Sequence, residues 1–65
     1  MTIQLLRRPD VEKKTGLSRS TIYKRIDEGT FPKPIPLGGR LVAWLETDIQ
    51  DWIKQRMKEA GRIKT

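Results

Sequence analysis

The sequence predicts a mainly α fold with one small β-hairpin, in the order helix, turn, helix, hairpin, helix. Three observations carry that reading. A glycine and a serine, Gly16 and Ser18, punctuate two short helical stretches. A proline-rich stretch then leads into two apolar runs split by Gly38-Gly39-Arg40. Finally, Ile49, Trp52, Ile53, Met57 and Ala60 recur at spacings of three and four, the period of one helix face.

The first helix is expected from about Pro9 to Thr15, with Leu5-Leu6 as a small apolar anchor ahead of it. Proline suits a first helical position, where its missing N–H would have had no partner. Asp10 and Glu12 lie toward the positive end of the helix dipole, and Lys13 and Lys14 toward the negative end. Gly16 is the natural residue to stop the helix in a left-handed conformation. Leu17 should then point into the core.

Ser18 is expected to cap the second helix by accepting from the backbone N–H of Ser20 or Thr21. This helix runs from Arg19 to about Glu28 and ends at Gly29. At ~100° per residue, Ile22 and Ile26 share one side, and Ser20, Thr21, Lys24 and Arg25 the other. Arg19 and Tyr23 flank the apolar stripe. The segment from Phe31 to Pro36 holds three prolines and cannot be helix. Leu37, Gly38-Gly39-Arg40 and Leu41–Trp44 read as strand, tight turn and strand, with Pro36 restricting the first strand to an edge. The last helix starts near Glu46, and Gly61 is a plausible stop. Residues 1–60 are thus read as one domain and residues 61–65 as a frayed tail. Trp44 and Trp52 are expected to be core rather than base-stacking platforms, because no pattern of exposed aromatics accompanies them.

Size and composition narrow the function. A chain of 65 residues buries only roughly 60% of the surface that its unfolded form exposes, which argues against a deep, walled active site. There is no Cys and no His, so zinc fingers, thiol chemistry and histidine acid–base work are excluded. No metal, cofactor or enzymatic activity is expected. Asp48 and Asp51 read as dipole and surface residues, and Gly38-Gly39-Arg40 lacks the spacing of a phosphate-binding loop. No apolar run approaches the ~20 residues needed to span a bilayer. Together with the lack of cysteine, this gives the expectation of a cytoplasmic protein without membrane contact.

The charge is more telling. Fourteen Lys+Arg against eight Asp+Glu give a formal charge of +6, which points to a polyanionic partner. From Arg7 to Arg25 there are seven bases and two acids. The rest of the chain is nearly balanced apart from Arg62 and Lys64.

Two helices joined by Thr15-Gly16-Leu17 match a helix-turn-helix. The first helix braces the second, whose N-terminal half can then reach base edges in the major groove of duplex DNA. Arg19 or Lys24 could donate to guanine O6 and N7. Ser20 and Thr21 are short enough to meet bases or phosphates. Tyr23 and Arg25 lie toward the flanks, where phosphate contacts set orientation without reading sequence. Arg7 and Arg8 are candidate phosphate clamps, or simply a solvated basic start. The hairpin reads as a wing. Gly39 would let the backbone approach the sugar-phosphate chain, Arg40 would be the charged tip, and Lys33 could add a phosphate contact from the loop.

The blocks Val11…Thr15-Gly16-Leu17-Ser18-Arg19-Ser20-Thr21-Ile22-Tyr23, Gly29-Thr30-Phe31-Pro32-Lys33-Pro34 and Arg40…Trp44-Leu45-Glu46…Trp52-Ile53 resemble the AlpA family. These are small phage- and prophage-encoded regulators related to excisionases. The resemblance covers about Leu5 to Arg56, and the ordered set is far more specific than any single block. It implies a winged helix-turn-helix similar to the DNA-binding domain of MerR-type regulators. It also implies transcriptional control of prophage genes and architectural help in prophage excision. By resemblance, Ser18–Arg25 is the recognition segment and Arg40 lies in the wing. Glu12 departs from the small residue, such as Ala, that these proteins often carry there.

Sequence-specific binding of double-stranded DNA by a prophage-type regulator is the leading expectation. An excisionase role, bending DNA, is the alternative. Another is a protein-binding adaptor that uses the third helix and the tail to act on an integrase or another regulator. With no heptad seam, the chain is expected to be a monomer, with cooperative assembly on tandem DNA sites still open.

Overall fold

The computed structural model describes residues 3–61; of the frayed tail expected at residues 61–65, all but Gly61 lies outside the described residues, Arg62 and Lys64 included. The elements are β1 (Leu5–Leu6), α1 (Arg8–Thr15), α2 (Arg19–Glu28), β2 (Ile35–Gly38), β3 (Leu41–Leu45) and α3 (Glu46–Glu59). Three helices and a small antiparallel sheet make a mainly α winged helix-turn-helix.

The α1–α2 corner is built by local chemistry. Gly16 stops α1 at φ 74°, and its N–H donates to the Glu12 carbonyl at 2.8 Å. The Thr15 hydroxyl donates back to the Val11 carbonyl at 2.8 Å and accepts from the Leu17 N–H at 3.2 Å. The Gly16 bond satisfies one of the carbonyls that the end of α1 leaves free, and Leu17 packs half-buried against the core. Ser18 caps α2 by accepting from the Thr21 N–H at 3.3 Å. At the far end Gly29, at φ 77°, closes a paired cap: its N–H donates to Ile26 and that of Thr30 to Arg25.

The sheet contains one strand more than expected. Leu5-Leu6, read from sequence as an anchor, pairs antiparallel with β3 in the register Leu5↔Leu45 and Leu6↔Trp44. The sheet order is β1-β3-β2, so β3 is central and β2, with its proline, is an edge. The same N-terminal segment starts α3. Leu45 offers no capping side chain, and the Glu46 N–H donates instead to the Gln4 carbonyl at 2.9 Å.

The hairpin turn also differs from expectation. Gly38 pairs with Leu41 inside the ladder, which leaves Gly39 and Arg40 as the two turn residues. The register slips between Pro36 and Gly38, so Leu37 lies in a bulge. Pro36 has no N–H to give to the ladder, which makes an irregular register inexpensive at this edge.

Leu6, Val11, Ile22, Phe31, Trp44 and Ile49 form the buried core, with Leu17, Ile26, Val42, Trp52 and Ile53 packed against it. Each element supplies at least one of these side chains except β2, whose residues are all exposed. The two tryptophans fasten the loop that follows α2. Trp44, fully buried, donates its indole N–H to the Pro32 carbonyl at 2.9 Å. Trp52 donates to the Thr30 carbonyl at 2.7 Å and meets the Phe31 ring edge-on, with centroids 4.8 Å apart. The apolar face expected on α3 is covered only in its first half. Ile49 is buried and Trp52 and Ile53 half-buried, but Met57 and Ala60 are exposed because, among the described residues, no element packs on the last turns.

Candidate nucleic-acid interface

The first turn of α2 holds no acidic residue, and the acids Asp27 and Glu28 close its C-terminal end. The half that carries the positive end of the helix dipole is therefore free of competing carboxylates. Arg19, Ser20 and Lys24 are exposed on this half. Ser20 and Lys24 stand four residues apart and share one face. Lys24 forms no ion pair among the described residues.

The neighbouring positions are more engaged than the sequence suggests. The Ser18 and Thr21 hydroxyls lie 3.0 Å apart, and the Ser18 oxygen also serves as the helix cap. Both groups are thus held by the helix start, and Thr21 is half-buried. The Arg19 guanidinium lies over the Tyr23 ring, 5.9 Å from its centroid. An exposed contact of this kind favours one orientation of the cation by about 0.5–1 kcal/mol. Arg25 does not stand on the solvent side with Lys24 as its helical angle implied. It is half-buried, and its Nε is buried without a hydrogen-bond partner among the described residues.

Around this helix, Arg7 is exposed at the N-cap position of α1, and its carbonyl accepts from the Asp10 and Val11 N–H groups. Arg8 is paired with Glu12 at 3.1 Å, both about one-third exposed. An exposed pair of this kind contributes about 0–1 kcal/mol and exchanges readily for another anion. Glu12 is therefore accommodated as the partner of Arg8. An open hollow of about 580 Å³ lined by Pro9, Glu12, Lys13, Gly16, Leu17 and Ser18 leads to the start of α2.

Lys33 is exposed in the loop before β2, and Arg40 is exposed at the tip of the wing beside Gly39. Neither cation is drawn into an ion pair among the described residues. Sequence reasoning missed the apolar character of the same wing. Ile35, Leu37 and Leu41 are all exposed. The available signal was a hairpin with almost no charge, Arg40 being its single charged residue.

A second open groove, of about 570 Å³, runs between the Gly29–Pro32 loop and α3. Trp52 forms part of its wall, with the Arg56 guanidinium 5.7 Å from the ring centroid, and Asp48 and Asp51 line it. Trp52 is thus both a core side chain and a surface one. Among the described residues, no cluster of acidic side chains could hold a metal ion, and no helix is long and apolar enough to cross a membrane.

A capped helix pair turned by glycine, with a hairpin after it and a third helix behind, defines a winged helix-turn-helix protein. Residues 4–57 match the family described as prophage CP4-57 regulatory protein (AlpA), and the chain belongs to that family. It is 48% identical over 59 residues to the uncharacterized protein ORF88 of Enterobacteria phage P4, covering 91% of this chain and 65% of that protein. It is 40% identical over 62 residues to the DNA-binding transcriptional activator AlpA of Escherichia coli K12, covering 86% of this chain and 89% of that protein. The chain thus spans just under two thirds of the length of the phage P4 relative.

Proposed function

We propose that this protein is a DNA-binding regulator of the prophage type, which sets α2 in the major groove and its wing on the adjacent backbone or minor groove. The observation that carries the reading is the open N-terminal half of α2. Arg19, Ser20 and Lys24 project from a serine-capped helix start that has no carboxylate. The name of the E. coli relative, a DNA-binding transcriptional activator, supports it.

In this reading Lys24 and Arg19 supply base-edge donors, with Ser20 beside them. Tyr23, Arg25, Arg7 and Arg8 contact phosphates, as does Lys33. Ser18 and Thr21 serve chiefly to fix the helix start, presenting its N–H groups to a phosphate. Arg40 lies in the narrow groove, where the potential of DNA is most negative.

Footprinting and gel retardation on the DNA flanking the protein's own gene test the proposal. One protected site beside a promoter is expected for a transcriptional regulator, whereas tandem sites at a prophage end would favour excision. Lys24→Ala should relax the choice of sequence, and Arg40→Ala should weaken all sites alike. Equal affinity for every duplex, insensitive to both substitutions, would refute the assignment.

The groove beside Trp52 gives specific support to a second role, contact with a protein such as an integrase or another regulator. NMR titration separates the two roles: DNA should shift Ser18–Arg25, whereas a protein partner should shift Ile49–Lys58.

A further inference from the structure

Three features stand apart from the interface described above: the groove at Trp52, the buried Nε of Arg25, and the exposed apolar tip of the hairpin. The last is the most informative. Ile35 is 37% exposed, Leu37 44% and Leu41 51%, all on a hairpin whose single charge is Arg40. Scattered surface leucines are ordinary. Here they flank one two-residue turn, on a chain whose formal charge is +6.

We propose that Leu37 and Leu41 act as a wedge that the wing presses into the minor groove of duplex DNA, partly unstacking a base step and bending the helix. The inference rests on the DNA-binding reading and adds the element that deforms the DNA. Its geometry follows from the hairpin. Paired strands lie ~4.8 Å apart, and the minor groove is ~6 Å wide, so the leading end of a ribbon enters only if its tip is narrow. The turn is Gly39-Arg40 with Gly38 just before it, and beyond their chain neighbours no atom lies within 4 Å of where a Cβ would stand on either glycine. The backbone there carries no side-chain bulk at either glycine.

Arg40 provides the charge complementarity. It stands between the leucines in sequence and draws the tip toward the concentrated negative potential of the groove. The bulge at Leu37 offsets that side chain from the regular ladder, so it lies between the paired positions Pro36 and Gly38. Leucine is among the side chains suited to insertion between base steps, and such insertion kinks a duplex by roughly 20–90°. Flexible pyrimidine–purine steps should be the preferred point of entry.

The test uses the full chain and a duplex from the DNA flanking its own gene, labelled at both ends for energy transfer. Wild-type protein should bring the ends together, as expected for a bend. Leu37→Ser and Leu41→Ser, made singly so that a folding defect in one leaves the other, should each cut the bend to about half or less while retaining binding. Leu41→Met, still long and apolar, should keep the bend. Lys24→Ala should lower affinity yet bend whatever it binds. Serine variants that bend the duplex like the wild type would overturn the wedge and leave DNA binding intact. So would wild-type binding without a bend, or serine substitutions that convert a wild-type dimer to a monomer, since a second copy would then cover the leucines. A wild type that binds no duplex would overturn both readings.

Discussion

The indole N–H of Trp52, on α3, donates to the carbonyl of Thr30 at 2.7 Å, in the loop that leaves α2. This bond, with the edge-on contact between Trp52 and Phe31, joins the last helix to the end of the helix that is proposed to meet DNA. The angle of α2 is therefore set from both ends, by the Gly16 corner before it and by α3 behind it.

Replacing Trp52 with Phe keeps an aromatic ring against Phe31 but removes the donor. The Thr30 carbonyl is near solvent, so water can replace part of the loss. A destabilisation of about 1 kcal/mol is expected, which lowers the melting temperature by roughly 4–8 °C in a chain of this size. Thermal melts followed by circular dichroism measure it, and an unchanged midpoint would remove this bond from the account.

Phe31 itself should be far less tolerant. It is buried between the two indole-bonded carbonyls of Thr30 and Pro32. Phe31→Ala should cost about 3–5 kcal/mol, a large share of the ~5–15 kcal/mol typical of a folded domain. Loss of the cooperative melting transition near room temperature is the expected outcome, read by the same melts.

Ser18 allows stability to be separated from binding. Ser18→Ala removes the cap and the contact with the Thr21 hydroxyl, at a cost of about 0.5–2 kcal/mol. Ser18→Asp restores a capping oxygen and adds a negative charge at the positive helix end, so the melting temperature should match or exceed the wild type. The same charge repels phosphate, and affinity for duplex DNA should fall at least ~10-fold, a difference of about 1.4 kcal/mol. Retardation assays on the two variants check the split. An aspartate variant that binds as well as the wild type would place the helix start away from the DNA backbone.

Gly16 is at φ 74° with no atom near its missing Cβ. Substitution there meets backbone strain and no collision. Gly16→Ala should cost about 1–2 kcal/mol, and Gly16→Asn less, since asparagine tolerates the left-handed region better. Denaturant unfolding of the pair distinguishes strain from crowding, because crowding would make asparagine the worse of the two.

Salt dependence should count the phosphate contacts. Each neutralised phosphate contributes about −0.9 to the slope of log affinity against log salt. Arg40→Ala should reduce the steepness by about one such unit. An unaltered slope would show that the wing tip does not neutralise a phosphate.

The helices and their corner are written in the residues that form them. Gly16, Ser18 and Gly29 act on their own few residues through a left-handed φ, a side-chain cap and a closing pair of hydrogen bonds. Such effects are local, so they are legible in a string of residues. The apolar period placed Ile22 and Ile49 in the core for the same reason. The exposed cations of α2 could likewise be read from its helical angles, except for Arg25, which is half-buried.

Other features arise only where distant segments meet. Leu5-Leu6 has too few residues to show a strand period and becomes a strand because β3 offers it an edge. The first N–H of α3, that of Glu46, is satisfied by the Gln4 carbonyl, and no local residue announces that partner. The turn falls on Gly39-Arg40 because pairing continues through Gly38, a matter of register between two strands. Trp52 became a tie between α3 and the loop after α2, and the last turns of α3 were left uncovered, because burial is a property of the whole packed chain.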